Sequence, residues 1–144
     1  MRKNAREDAF RLLFEQSVNP EGAEEKLTRY FETAKEEQKA EEPFYVNRPS
    51  AGDKAYTRAV VEGVQMHREE IDKLIEGNLK DWEMDRVSKI SISVLRLAIY
   101  EILYMEDIPA EVSASEAVSI AKKYDCPSAG SFVNGVLGNV IRMQ

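Results

Sequence analysis

The stretch VSKISISVLRLAIYEILYM, residues 87–105, decides the fold class. Its isoleucines and valines would suit a buried strand, but strands span only about 4–8 residues. A run of this length is a helix. Apolar side chains at Val87, Ile90, Val94, Leu95, Ala98, Ile99, Ile102 and Leu103 cover nearly all of its circumference. An all-round apolar helix belongs at the centre of a bundle, covered by neighbours.

Downstream, Asp107-Ile108-Pro109 stops this helix. Ser113 and Glu116 have the S-x-x-E spacing of a capping box, which predicts that the next helix opens there and carries Ala117, Val118, Ala121 and Tyr124 inward. DCPSAG (125–130) reads as a loop. The last helix has Val133, Val136, Leu137, Val140 and Ile141 at i, i+3, i+4, i+7 and i+8. Gly135 and Gly138 lie inside it, each costing about 1 kcal/mol relative to alanine. They predict a close backbone approach to another helix or to a partner chain.

Upstream, a helical pattern runs from Asp53 through Val60, Val61, Val64, Ile71, Leu74, Ile75 and Leu79, too long for one straight helix. A break is expected between Gln65 and Arg68. Before it, KAEEPFYVNRPSAGD (39–53) reads as a mobile loop with Pro43, Pro49 and Gly52. An acidic helix precedes the loop, with Leu27, Tyr30, Phe31 and Ala34 facing inward. Asn19-Pro20 separates it from a front helix over about residues 4–17, whose stripe is Ala5, Ala9, Leu12, Leu13 and Gln16. The chain is all-α, with about seven helices and one domain over 1–144.

Composition narrows the function. Of the 144 residues, 43% are hydrophobic and 32% charged, with only seven Gly and five Pro, as in a soluble helical protein. No run approaches the roughly 18 apolar residues that span a membrane. A single cysteine, Cys126, excludes an internal disulfide framework and points to the reducing cytoplasm. His67 is the only histidine, so no zinc ligand set can be assembled, and Cys126 has no second histidine to activate it. GxGxxG and GxxxxGKS/T loops are absent. These observations predict a protein that is not an enzyme and has no metal or cofactor. Net charge -6 and a pI near 5.0 disfavour a general polyanion binder and suit a basic protein partner.

Against that acidic background the front is basic, with Arg2, Lys3, Arg6 and Arg11. Lys3, Arg6, Phe10 and Phe14 share one helical flank. Cations beside aromatics can hold single-stranded RNA through phosphate pairing and base stacking. The same spacing also describes aromatic core residues with a basic rim, and spacing alone favours that arrangement.

SFVNGVL (131–137) resembles the C-terminal signature of the NusB family of bacterial transcription antitermination factors. AREDA (5–9), LLF (12–14), GVQMHREEID (63–72), LKDW (79–82), VLRLAIYEILY (94–104), DIPAEV (107–112) and SEAVSIAKKY (115–124) agree in the same order. The resemblance implies two small helical bundles packed together. It implies binding of boxA RNA together with the ribosomal protein NusE, in a complex that joins elongating RNA polymerase and suppresses termination, notably on ribosomal RNA operons. The family's arginine-rich RNA-binding front corresponds to Arg2, Lys3, Asn4 and Arg6, and a second RNA-contacting region corresponds to Ser128 and Phe132. The ribosomal-protein surface corresponds to Phe14 and Ser91. Here Ser91 stands where the family often has an acidic residue, and Phe14 where it often has tyrosine. Before Phe132 the chain reads CPSAGS, where the family is commonly polar or acidic. Self-association into a homodimer is a further expectation, because some members do so. The alternative is an RNA-binding accessory or protein-interaction bundle without antitermination activity.

Overall fold

A computed structural model describes residues 2–36, 50–79 and 84–144. Among these residues there are seven α-helices, one 3-10 turn at Met84–Arg86, and no strand. The helices are α1 (Arg2–Val18), α2 (Pro20–Glu36), α3 (Ala51–Met66), α4 (Arg68–Gly77), α5 (Lys89–Tyr104), α6 (Ala110–Tyr124) and α7 (Pro127–Arg142). No helix among the described residues is long and apolar enough to cross a membrane. Most of the segment expected to be a mobile loop lies outside the described residues, as do Lys80 to Trp82 of the LKDW block. The chain divides into two compact units, Met1–Ala59 and Val60–Gln144, with the boundary inside α3.

In the first unit α1 packs on α2. Small side chains permit this: Ala5, Ala9 and Ala23 are buried, together with Phe10, Leu13 and Tyr56. Asn19 ends α1 and starts α2, accepting a hydrogen bond from the Gly22 N–H on its Oδ1 at 3.3 Å. Pro20 occupies the first helical position, where its missing N–H costs nothing. A reciprocal cap opens α3. The Asp53 N–H donates to Ser50 Oγ at 3.0 Å, and the Ser50 N–H donates to Asp53 Oδ2 at 3.1 Å. This is the capping-box arrangement with aspartate as the acid.

In the second unit α5 is central, packing against α4, α6 and α7. Every residue from Ser91 to Ile99 is buried. The expected break upstream falls at His67, between α3 and α4. The His67 ring stacks on Tyr104 with centroids 4.2 Å apart, so the lone histidine is part of a surface aromatic cluster.

Three local expectations are corrected. Ser113 does not open α6. The Pro109 carbonyl already accepts from the N–H groups of Val112 and Ser113, so the helix begins one turn earlier at Ala110. Ser113 is instead buried and donates its hydroxyl to Glu101 Oε1 at 2.8 Å, satisfying a fully buried carboxylate of α5. DCPSAG is not all loop, because Pro127 starts α7 and only Asp125 and Cys126 separate it from α6. Finally, Gly135 and Gly138 do not mark close helix packing. A Cβ at Gly135 meets nothing within 4 Å, and one at Gly138 meets only the Arg142 guanidinium. Close approach occurs at Gly63, where a Cβ would fall 2.2 Å from the Tyr100 ring.

Candidate functional site

The first group of expected site residues lies on α1, in the first unit. Arg2 and Lys3 form its first turn, with side chains outside the described part of the structure. Asn4 is half-buried. Arg6 is buried, at 4% exposure, and is engaged by other groups of the chain. The flank proposed from periodicity is therefore not a solvent-facing stripe. Ala5, Arg6, Ala9, Phe10 and Leu13 form one broad buried arc, with Phe10 only 3% exposed. Phe14 remains half-buried beside Phe10, the ring centroids 6.3 Å apart.

On the same helix, burial pushes the Asp8 carboxyl above its ordinary value, although the hydrogen bond from Tyr30 acts to lower it. The Tyr30 hydroxyl donates to Asp8 Oδ2 at 3.2 Å and lies 3.4 Å from Thr57 Oγ1. Burial raises the Tyr30 phenol to about 12. These groups tie α1 to α2 and α3.

The second group lies where α5 begins, α6 ends and α7 begins. Ser91, Ser128 and Phe132, drawn from two separated segments, line one cavity of about 390 Å³. Arg86, Val87, Ser88, Asp125, Cys126 and Ala129 complete its wall. The short connection through Asp125 and Cys126 sets this geometry, because it brings the end of α6 beside the start of α7. Cys126 precedes α7 with extended backbone, φ -149° and ψ 163°, and Pro127 takes the first helical position. Phe132 is half-buried and Ser128 exposed, with Ser128 Oγ 3.2 Å from Cys126 Sγ. Ser91 is buried and points its hydroxyl at Asp125.

Sequence reasoning missed Ser88, Asp125 and Arg86. A signal for Ser88 existed: it stands immediately before α5, caps it, and accepts the Ser91 N–H at 3.0 Å. Nothing local announced that Asp125 would reach α5. The cavity sets an apolar floor beside the polar side chains of Arg86, Ser88, Ser91, Asp125 and Ser128, suited to a ring or an alkyl chain and to directed polar contacts. Among the described residues no group of histidine, cysteine or acidic side chains could hold a metal ion.

The NusB family model matches residues 3–142, which include both groups except Arg2. The chain belongs to the NusB family. It is 40% identical over 141 residues to the transcription antitermination protein NusB of Clostridium novyi (strain NT), covering 98% of each chain. Among solved structures it resembles T. maritima NusB with a TM-score of 0.75 at 30% identity, over 99% of this chain and 91% of that one. A structure of the antitermination factors NusB and NusE in complex with dsRNA gives a TM-score of 0.77 at 28% identity, over 99% of this chain and 97% of that chain.

Proposed function

We propose that this chain is a cytoplasmic transcription antitermination factor. It binds boxA RNA together with the ribosomal protein NusE and acts, without catalysis, on elongating RNA polymerase at ribosomal RNA operons. The observation that carries this reading is the cavity at the start of α7, where Ser91, Ser128 and Phe132 converge. A half-buried phenylalanine at a cavity mouth offers a stacking face for an unpaired base, and Ser128 offers an exposed hydroxyl. The basic start of α1, with Arg2, Lys3 and Asn4, supplies phosphate contacts, and Arg6 lies one turn further in. Phe14 and the start of α5 serve the protein partner. Similarity over nearly the full length, at 40% identity, to a transcription antitermination protein NusB supports the reading.

With net charge -6 and few front cations, the chain alone should hold RNA weakly, and the basic partner should supply further phosphate neutralisation. Labelled boxA RNA titrated with the chain, with the ribosomal protein, and with their mixture tests this. The mixture is expected to bind most tightly. Equal affinity for the chain with and without its partner would overturn the proposal.

A further inference from the structure

Ser91 is assigned to the partner surface, yet it cannot itself offer a contact. It is 3% exposed, and its hydroxyl donates to Asp125 Oδ2 at 2.9 Å. Ser88 donates its hydroxyl to the same oxygen at 2.5 Å, while accepting the Ser91 N–H. Two hydroxyl donors on one carboxylate oxygen fix its orientation. Asp125 is partly exposed on the cavity wall, and no cationic side chain among the described residues forms an ion pair with it. Arg86 lines the same cavity and is also unpaired with it. The two serines thus hold the carboxylate against the start of α5.

The Asp125 carboxylate, with no ion-pair partner among the described residues and beside an apolar floor of Val87 and Ala129, has the wrong sign for a phosphate. It matches a lysine or arginine, whose alkyl stem can lie on the floor while its head meets the charge. Resting on the partner reading above, we propose that Asp125 is the charged residue of the ribosomal-protein contact and takes a basic side chain of that protein. Ser88 and Ser91 are positioning residues that aim it.

The test measures binding of the full chain to the ribosomal protein, and separately to boxA RNA, at several salt concentrations. Asp125→Asn keeps an acceptor oxygen for both hydroxyls and removes only the charge. It should weaken partner binding about five-fold or more and flatten its salt dependence, with the melting curve unchanged. Ser91→Ala should weaken partner binding by a smaller factor, and should add nothing in the Asp125→Asn background, a non-additivity that a purely structural serine would not give. If Asp125→Asn melts early, Ser91→Ala decides alone: partner affinity lost without a change in melting supports the proposal, and unchanged affinity overturns it. Partner binding that survives Asp125→Asn overturns the inference, whether RNA binding is unchanged or falls. Failure of the unsubstituted chain to bind the ribosomal protein overturns the partner reading itself, and this inference with it.

Discussion

The start of α1 and the corner of α5, α6 and α7 present opposite relations between sequence and surface. On α1 the sequence advertises charge, but Arg6 is inside a buried arc with Ala5, Ala9 and Phe10. At the corner the sequence CPSAGS is bland, yet folding brings Ser91, Ser128, Phe132 and Asp125 around one cavity. Charge along a helix says which residues are cationic; it does not say which side the neighbouring helix covers. Conversely, a two-residue connection that sets two helices side by side can gather polar, aromatic and acidic side chains around one cavity that no local stretch of sequence announces.

The strongest way to break this comparison is Arg6→Glu. It places a carboxylate where the structure engages a buried guanidinium, and should cost about 3 kcal/mol or more of stability. Urea unfolding measures it. A variant as stable as the original would mean that Arg6 is a surface cation, and the contrast between the two regions would vanish.

A second change sharpens the description of α1. Because burial raises the Asp8 carboxyl, the folded chain keeps that proton to a higher pH than the unfolded chain does. Stability from this group is therefore fully present below the unfolded value of about 3.9 and falls as pH rises through the folded one. Asp8→Asn should stabilise the chain at pH 7 and leave stability at pH 3 nearly unchanged. Thermal melting at the two pH values checks the sign, and equal shifts at both would show that Asp8 is not held in a desolvated position.

The smallest effect is expected on α7, beyond the corner. Gly135 lies in a helix interior with open space around it, so Gly135→Ala should raise stability by about 0.5–1 kcal/mol. A lower melting temperature at high protein concentration would place another surface, such as a second copy of the chain, against that face.

Much of the fold was legible because it rests on periodicity. The α5 run, the break at His67 and the Asn19-Pro20 junction all stand where the apolar spacing and the turn chemistry place them. Helix starts were less legible, since they depend on which of several competing groups takes the first free N–H. Ser113 has capping spacing, but the buried carboxylate of Glu101 holds its hydroxyl, and Ser50 with Asp53 forms the reciprocal cap instead. The glycines of α7 misled for a related reason: a glycine reports close approach only when another chain segment lies above it, as Tyr100 does at Gly63. Of the candidate site, the resemblance supplied Ser91, Ser128 and Phe132. Asp125 required the tertiary contact between α6 and α5.

Under the proposed function the two regions contact RNA by different physics, charge at the start of α1 and ring stacking at the start of α7. The direct test is RNA affinity of the two-protein complex across a salt series for Lys3→Glu and Phe132→Ala. Lys3→Glu should flatten the slope of log affinity against log salt by about 0.7 for one lost phosphate contact on single-stranded RNA. Phe132→Ala should lower affinity by a constant factor of about ten, the loss of one stacked base, with the slope unchanged. Two variants that both follow the unsubstituted line would contradict the account.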